Sequence, residues 1–459
     1  MSCSIKEVIL GMDRAVPRYT SYPTAPHFQG IENPQTFELY EDWLKSISGD
    51  MPLSLYIHVP FCSKMCWYCG CHTKVTKRYD PIADYVRFVL KEIEVLSAVL
   101  GRRLPAAHIH FGGGTPGLLS PFDFSAIMKA LDAHFDIDYK NGEIAMEIDP
   151  RSVNEARVES YTRHGLNRVS LGVQDLHSKT LDAVNRPQPF ELSMEAVSLF
   201  RRYGVARFNI DLLYGLPHQT VESMAQTIER CMALAPDRLS LFGYAHVPWM
   251  KKHMKLIDEG TLPDKNDRYD LFRTGEDALL GFGYVPIGID HFAKEDDPLA
   301  RAAQAGTLQR NFQGYTTDKA LALIGIGVSS IGKLEQGYVQ NAVDMPVYKD
   351  SILNQRLPVR KFLSLSHEDR LRAHIIERLM CDFHVDIQDV CLAHGFEKNH
   401  LESVLPKLEP FVQQNMLVIS ENKVLTILPH ARLVARLICA EFDAYFSFAP
   451  QKPRHAKAI

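Results

Sequence analysis

The sequence predicts an α/β protein organised around a parallel sheet. Six short apolar runs of strand type recur along the chain, at 53–60, 107–114, 143–150, 168–175, 208–217 and 239–248. Segments with helical periodicity lie between them, such as 81–100 and 120–135, the second opening on Ser120 as a predicted N-cap. Alternating strands and helices predict βα units and an open or closed barrel of parallel strands.

Each of these runs has polar or glycine residues at its C-terminal end. Barrels of this kind carry their sites at the C-terminal ends of the strands. The residues at those ends are His58, Gly112, Gly113, Gly114, Glu147, Asp149, Gln174, Asp211 and His246. One interpretation is that each merely stops its strand, but six such ends together predict a site. A further run at 284–293 is either another strand or an irregular lid.

The composition is that of a soluble globular protein with more than one domain. The chain has 459 residues, 46% of them hydrophobic, and a net charge of −4 from 51 basic and 55 acidic residues. That balance gives no overall electrostatic basis for binding nucleic acid or an anionic membrane. The N-terminus has only a four-residue apolar run, and no run approaches the ~18 residues of a membrane span. We expect a cytoplasmic protein.

The character of the sequence changes past about residue 360. Segments 366–380 and 431–446 have the pattern of amphipathic helices, and 416–429 that of a hairpin. Helices followed by a hairpin are typical of a small winged-helix-like domain. Such a domain could bind DNA, but the small basic content favours a lid or packing role.

Four of the nine cysteines lie within the ten residues 62–71. Structural zinc usually takes two well-separated pairs of ligands, and a disulfide needs an oxidising compartment. Iron–sulfur clusters are held by closely spaced thiolates, which suits a loop directly after a strand. The Gly112–Gly114 turn lacks the lysine of a phosphate-binding loop, so it suits an amino-acid moiety better than a phosphate. Glu147 offers two acceptors for ribose hydroxyls.

The spacing Cys62-x3-Cys66-x2-Cys69 is similar to the signature of radical S-adenosylmethionine enzymes. In that superfamily three thiolates bind a 4Fe-4S cluster and S-adenosylmethionine chelates the fourth iron, which leaves Cys71 as a spare cysteine.

The chain further resembles the oxygen-independent coproporphyrinogen III oxidase family along essentially its whole length. The resemblance is carried by RYTSYPTA (18–25), FCSKMCWYCGC (61–71), FGGGTP (111–116), MEIDPR (146–151), SLGVQD (170–175), NIDLLYGLP (209–217), YAHVP (244–248) and NFQGYTT (311–317). It implies an incomplete (β/α) barrel at 51–360, an N-terminal extension near the active site at 1–50 and a mainly helical C-terminal domain at 361–459.

The resemblance also implies a set of site residues. The cluster ligands fall on Cys62, Cys66 and Cys69. The residues that hold S-adenosylmethionine on the cluster fall on Tyr56, Gly113, Glu147 and Ile331. A second S-adenosylmethionine would be contacted by Tyr68, Gly114, Thr115, Gln174, Arg186, Asp211 and Ala245. Functionally important positions without an assigned role fall on Cys71, Phe312 and Gln313. At Tyr68 a family relative carries Phe, so only the contact of the hydroxyl differs.

The implied reaction converts two propionate side chains of coproporphyrinogen III to vinyl groups with loss of CO2, giving protoporphyrinogen IX in heme biosynthesis. No side chain is basic enough to take the β-hydrogen as a proton, so a 5′-deoxyadenosyl radical is expected to abstract it. The expected partners are the substrate, an electron donor such as a flavodoxin or ferredoxin, and an unknown electron acceptor. We expect a monomer.

Two residues are candidate partners for the substrate carboxylates. Arg18 and Arg310 belong to or adjoin family motifs, and arginine binds carboxylates in a bidentate manner. Structural ion pairs are the commoner role of such arginines.

Two alternative functions remain open at this point. One is a relative that keeps the cluster but binds or delivers heme, against which the Gln174, Arg186 and Asp211 set argues. The other is a non-catalytic zinc or winged-helix binding protein, which would need neither the glycine turn nor the carboxylates at the strand ends.

Overall fold

The computed structural model describes residues 4–31, 33 and 35–446. Its first elements precede the barrel, and are helices α1 (Ile5–Met12) and α2 (Gln35–Lys45) and strand β1 (Gln29–Gly30). Helix α1 begins with a capping box, in which the Ser4 hydroxyl accepts from the Glu7 N–H and the Glu7 carboxylate accepts from the Ser4 N–H.

The barrel region follows. Its strands are β2 (Leu53–Val59), β3 (Phe61–Cys62), β4 (Lys74–Val75), β5 (Pro105–Gly113), β6 (Asp136–Ile137), β7 (Glu143–Ile148), β8 (Arg168–Gln174), β9 (Arg207–Tyr214), β10 (Arg238–Gly243), β11 (Tyr284–Ile287) and β12 (His291–Lys294). Its helices are α3 (Asp80–Leu100), α4 (Pro121–His134), α5 (Glu155–Arg163), α6 (Ser178–Ala183), α7 (Phe190–Arg202), α8 (Val221–Cys231) and α9 (Lys265–Gly281). The predicted Ser120 N-cap of α4 is confirmed, because its hydroxyl accepts from the Asp123 N–H.

The barrel region ends with a hairpin and a second group of strands. These elements are α10 (Pro298–Gln304), β13 (Gln309–Asn311), β14 (Gly314–Thr316), β15 (Leu323–Ile326), β16 (Ile331–Leu334), β17 (Gly337–Asn341), α11 (Met345–Leu353) and β18 (Val359–Ser364).

One large sheet forms the wall of the barrel. Its order is β1-β18-β17-β16-β15-β2-β5-β7-β8-β9-β10-β12-β11, with β6 beside β5. The segment from β15 to β10 is parallel, whereas both flanks are antiparallel. In the described part of the chain the edge strands β1 and β11 do not pair with each other, so the barrel is incomplete, as the family resemblance implies.

The six predicted strands are confirmed as β2, β5, β7, β8, β9 and β10. The run at 284–293, which the sequence left undecided, forms the antiparallel pair β11 and β12. Strands β15 to β18 were not predicted from the sequence, and neither was the pairing of β1 with β18, through which the N-terminal extension joins the sheet.

Side chains alternate along β2, so core residues lie on one face of the strand and site residues on the other. Leu53, Leu55 and Ile57 are fully buried in the main apolar core. Tyr56 and His58 point to the opposite face of the strand, because successive side chains in a strand alternate. That face is the interior of the barrel, where the other polar residues at the strand ends collect.

A smaller unit completes the chain. Its elements are α12 (His367–Cys381), β19 (His384–Asp386), α13 (Ile387–Ala393), α14 (Leu405–Gln413), β20 (Leu417–Ile419), β21 (Val424–Ile427) and α15 (Ala435–Phe442). The hairpin at 416–429 is confirmed as β20 and β21, and β19 adds a third strand that the sequence did not predict. The winged-helix likeness stays an interpretation. No helix in the described ranges is long and apolar enough to span a bilayer.

Candidate active site

The four clustered cysteines lie on a loop that is closed at its base. Strand β3 leads into the loop and pairs with β4, which leads out of it. Beyond this pairing, the Lys74 N–H donates to Pro60 O at 2.6 Å and the Thr76 N–H donates to Cys62 O at 2.9 Å. The loop therefore projects as one unit from the C-terminal end of β2.

Two thiols of the loop, those of Cys62 and Cys66, accept hydrogen bonds from side chains outside it. The Thr73 hydroxyl donates to Cys62 Sγ at 3.2 Å. Cys66 is buried and accepts from two guanidinium groups, Arg186 Nη1 at 3.4 Å and Arg151 Nη2 at 3.5 Å. The thiolate is the form of cysteine that binds metal.

Cys69 and Cys71 share a proton unequally. A hydrogen bond from the Cys71 thiol lowers the pKa of Cys69 to about 6, and the same contact raises the pKa of Cys71 well above its usual value. Cys69 is thus the thiolate of this pair and Cys71 is the hydrogen-bond donor. At Cys62, by contrast, burial raises the pKa to about 11.

The donor set fits an iron–sulfur cluster better than a single ion. Within the described ranges the eight cysteines are free, and no three His, Cys, Asp or Glu side chains converge as ligands of one metal ion would. A four-iron cluster is wider than one ion and takes its thiolates from a spaced loop, as Cys62, Cys66 and Cys69 provide.

The glycine turn at 112–114 lies against this loop. Gly113 has φ +115°, a conformation that side chains disfavour. A Cβ on Gly114 would come within 2.5 Å of Phe61 O, and one on Gly112 within 2.8 Å of the Glu147 carboxylate and the Tyr56 ring. Only glycines permit this close approach of backbone, carboxylate and cluster loop.

Glu147 is an ionised carboxylate with acceptor capacity to spare. Its Oε2 accepts from the Gly113 N–H at 3.1 Å, and its Oε1 lies 3.2 Å from His110 Nε2. Burial by itself would raise the pKa of Glu147, but the bonds from His110 and Gly113 more than offset it, so the pKa lies below its ordinary value. The side chain is still 41% exposed and opens onto the barrel interior. Ribose hydroxyls would suit the remaining lone pairs.

Tyr56 lines the same part of the interior. Its ring stacks on His110 with centroids 5.9 Å apart, and its hydroxyl lies 3.1 Å from His58 Nδ1. Gly325 of β15 pairs with Tyr56, and Ile331 O on the next strand packs close to Gly325. Tyr56, Gly113 and Glu147 are therefore together, with Ile331 two strands away.

A second group of predicted residues surrounds Arg186. This buried guanidinium donates to Gly172 O at 2.5 Å and to Asp149 at 3.4 Å, in addition to Cys66. Its Nε is buried and has no hydrogen-bond partner among the described residues. Gln174 has φ +72°, next to a register shift in β8, and its amide is turned back beside Arg186. A strained residue and an unpartnered buried donor are typical of a ligand site.

Asp211, Thr115 and Tyr68 border this group. Asp211 accepts from Ser170 and Asn209, both at 2.7 Å, and burial raises its pKa. The Thr115 hydroxyl accepts from the Asp149 N–H at 3.2 Å.

Tyr68 packs in an apolar cluster with residues that follow two barrel strands. The buried members of that cluster include Leu216, after β9, and Tyr244, after β10. Ala245, the next residue after Tyr244, is half-buried. The strand ends thus bring the predicted residues of this group to one region.

Phe312 and Gln313 lie apart from the cysteines, at the turn between β13 and β14. The Phe312 ring meets Tyr338 edge-on with centroids 6.1 Å apart. Both belong to a small apolar cluster with Phe28 and Ile331. The hairpin thus joins the N-terminal extension to the far flank of the sheet.

Several partners of the site were not predicted from the sequence. Arg151 makes a bidentate pair with Asp149, at 2.9 and 2.6 Å, and reaches Cys66. His253 contacts Cys69 O in the cluster loop, and His110 contacts Glu147. The MEIDPR motif contained Arg151, whereas nothing in the local sequence marked His253.

Residues 56–231 match the Radical SAM superfamily. The oxygen-independent coproporphyrinogen III oxidase of Bradyrhizobium diazoefficiens is 45% identical over 447 residues, which cover 97% of this chain and 98% of that protein. The chain belongs to the oxygen-independent coproporphyrinogen III oxidase family. The oxidase of Pseudomonas aeruginosa is 38% identical over 96% of this chain and 95% of its own length.

A solved structure of the family has the same fold. Coproporphyrinogen III oxidase from Escherichia coli, described as a radical SAM enzyme, matches with a TM-score of 0.88 at 33% identity, covering 94% of this chain and all of that one. Membership in the family makes this chain a radical S-adenosylmethionine enzyme, an oxidoreductase that uses a 4Fe-4S cluster and S-adenosylmethionine. The non-catalytic zinc or winged-helix alternative is therefore wrong.

Proposed function

We propose that this chain converts two propionate side chains of coproporphyrinogen III to vinyl groups without oxygen. The observation that carries the proposal is the pairing of a three-thiol loop with a glycine turn and an ionised, half-open Glu147 in a chain 45% identical to a named oxidase. Each propionate would lose one β-hydrogen atom to a 5′-deoxyadenosyl radical, one CO2, and one electron to an external one-electron acceptor, which balances the change to a vinyl group.

The proposed cluster ligands are Cys62, Cys66 and Cys69, with Cys71 left protonated. Support comes from the donors to Cys62 and Cys66 and from the proton that Cys71 shares with Cys69. The bound cluster and S-adenosylmethionine would supply the radical that removes the β-hydrogen. The protein supplies ligands, placement and exclusion of water.

The proposed holders of the first S-adenosylmethionine are Tyr56, Gly113, Glu147 and Ile331. Glu147 would accept from the ribose hydroxyls, since its own donors leave lone pairs unused. The Gly113 backbone, free of a side chain, would allow the amino-acid end to approach closely.

A second S-adenosylmethionine is proposed for the region around Arg186. The proposed contacts are Tyr68, Gly114, Thr115, Gln174, Arg186, Asp211 and Ala245. The unpartnered Arg186 Nε supports a ligand here, because a buried guanidinium donor without an acceptor costs free energy. The raised pKa of Asp211 also favours a ligand that offers it a hydrogen-bond donor or positive charge.

Arg310 positions the N-terminal extension. Its Nε donates to Tyr19 O at 3.2 Å, its Nη2 donates to Arg18 O at 3.4 Å, and its guanidinium stacks 4.3 Å from the Tyr315 ring centroid. Two of its guanidinium nitrogens and one face are therefore occupied by the protein itself, whereas Nη1 is buried and has no hydrogen-bond partner among the described residues. Both arginines stay candidate carboxylate partners, Arg18 because it is exposed and Arg310 because its Nη1 has no acceptor among the described residues.

Several further properties belong to the proposal. The enzyme acts as a cytoplasmic monomer and takes electrons from a flavodoxin or ferredoxin system. Its domains are the extension at 1–50, the catalytic barrel at 51–360 and the helical unit at 361–459. Phe312, Gln313 and Cys71 are proposed as functionally important positions without an assigned role.

The test is anaerobic reconstitution with iron, sulfide, a reductant and S-adenosylmethionine, followed by analysis of products from coproporphyrinogen III. We expect vinyl product together with methionine and 5′-deoxyadenosine. Cluster assembly with methionine release but no vinyl product would contradict the oxidase function and favour the heme-binding relative instead.

A further inference from the structure

One segment covers the outside of the cysteine loop. Residues 247–257, the cover segment, follow β10 and lie across the loop. His253 Nε2 donates to Cys69 O at 2.8 Å, and Lys251 Nζ donates to Cys71 O at 3.1 Å. Buried Met254 and Ile257 anchor the segment in the apolar cluster around Tyr68. Its outer side is therefore protein surface directly over the cluster ligands.

That outer side combines exposed apolar and basic side chains. Trp249 is 57% exposed and Met250 is 60% exposed. Lys252 and Lys255, on either side of His253, are exposed as well. Large side chains exposed together and bordered by charge mark an interaction surface more often than they mark ordinary protein surface.

The cysteine loop adds only positive charge to this surface. Residues 61–78 contain four basic residues and no aspartate or glutamate, and residues 247–257 contain three lysines and again no acid. The whole chain, in contrast, has a net charge of −4. The first acids beyond the cover segment are engaged locally, since Asp258 accepts from the Gly260 N–H and Glu259 pairs with His246.

We propose that this surface, the cluster face, is the docking site of an acidic one-electron carrier protein. The cluster face consists of Lys64, Lys74, Trp249, Met250, Lys252 and Lys255. The inference rests on the proposed function, because that reaction requires an electron from outside. Exposed apolar side chains accompanied by lysines are complementary to an acidic partner, and such charge pairs speed encounter and fix orientation.

The position of the cluster face suits electron transfer. The cover segment touches the backbone of Cys69 and Cys71, so a partner seated on it lies one layer of protein from the ligands. The reduced carrier would give up one electron to the cluster that Cys62, Cys66 and Cys69 would hold, and no covalent bond would form or break. Small, transient interfaces are typical of redox partners.

The binding test uses reduced and oxidised acidic flavodoxin as the probe with the reconstituted full-length protein. The double variant Lys252→Glu and Lys255→Glu reverses two exposed charges that make no contact with the cluster loop. The matched control, Lys398→Glu with Lys407→Glu, reverses two exposed charges in the C-terminal unit. Calorimetric titration at low and high salt gives the dissociation constants.

We expect the cluster-face variant to bind flavodoxin roughly tenfold or more weakly at low salt, with a smaller salt dependence than the wild type. The control should change binding less than about twofold. A carbodiimide should also cross-link Lys252 or Lys255 of the wild type to flavodoxin carboxylates. Equal binding by the two double variants, or cross-links only outside the cluster face, would overturn the inference. Binding of a second copy of this chain there would overturn it too.

Turnover with dithionite separates this inference from the proposed function. Dithionite is a small reductant that needs no docking site, so both double variants should keep wild-type turnover with it. Loss of turnover only with flavodoxin as donor supports the cluster face. Absence of vinyl product with dithionite in the wild type contradicts the proposed function, whereas the binding measurement stands independently of it.

Discussion

Two buried polar clusters lie against the same strand, β2, and they differ in whether their hydrogen bonds are complete. Around Glu92 of α3, the carboxylate accepts from the Gly327 N–H at 2.8 Å, Asn341 Nδ2 at 2.7 Å and the Tyr348 hydroxyl at 2.5 Å. Around Glu147, the carboxylate has two donors and remains 41% exposed. The first cluster is closed and the second is open.

This difference distinguishes a cluster that stabilises the fold from one that can bind ligands. The Glu92 cluster joins α3, the turn after β15, β17 and α11, and every partner belongs to the protein. Across the barrel, Arg186 Nε lacks a hydrogen-bond partner among the described residues, and Glu147 keeps lone pairs open to the interior. Buried polar groups nearly always have hydrogen-bond partners in native proteins. The donors and acceptors left without partners around Glu147 and Arg186 therefore indicate where ligands bind.

The largest effect should come from removing a cluster ligand. We expect Cys66→Ser to abolish cluster assembly, because serine is a poor ligand for iron and the two guanidinium groups would lose their thiolate. Cys71→Ser, the matched control, should keep its iron and its visible absorption. Both are measured on anaerobically reconstituted protein. Equal loss of iron in the two variants would show that Cys71 is a ligand.

The closed cluster could not have been predicted from the sequence. Glu92 receives its bonds from residues 235 to 256 positions away, and no local pattern marks such a contact. The short strands β15 to β18 were missed for a similar reason, since β15 and β16 have only four residues each. Runs that short carry no clear period.

The residues of the open cluster were much easier to predict from the sequence. The cysteine spacing, the three glycines and Glu147 each follow an apolar run, so strand order alone places them at one end of the barrel. What the sequence could not supply was their protein partners. Arg186 lies 120 positions from Cys66, and their contact depends on how the loops fold over the strand ends.

The pH dependence of stability should report on the closed cluster. Burial, only partly offset by its three donors, raises the pKa of Glu92 from 4.5 to about 7. Between these values the unfolded chain has lost this proton while the folded chain keeps it, so stability falls as the pH rises through the window. The loss is roughly 3 kcal/mol for this group.

In the Glu92→Gln variant this side chain is neutral at every pH, so the loss of stability caused by ionisation of Glu92 should disappear. We would measure chemical unfolding of the wild type and the variant at about pH 5 and about pH 8, and compare the two differences. The wild type should lose more stability on going to the higher pH. Parallel changes in the two proteins would show that Glu92 does not titrate in this window.

The smallest effect is expected at the open carboxylate. Glu147→Gln should weaken binding of S-adenosylmethionine about tenfold, since an amide has a single acceptor oxygen where the carboxylate has two. That oxygen can serve the Gly113 N–H or His110, but the remaining –NH2 cannot accept from a ribose hydroxyl. Calorimetric titration of the reconstituted protein with S-adenosylmethionine measures the change.

Glu92→Gln is the matched control, because it makes the same chemical change in the closed cluster. It should leave the affinity for S-adenosylmethionine within about twofold of the wild type, since Glu92 bonds to Gly327, Asn341 and Tyr348, none of which is a proposed S-adenosylmethionine contact. Glu147→Gln, in turn, should leave the midpoint of unfolding nearly unchanged, because a half-exposed side chain contributes little to stability. If Glu147→Gln instead lowered stability and spared binding, the carboxylate would be a structural group like Glu92, and the contrast between open and closed clusters would not identify the ligand site.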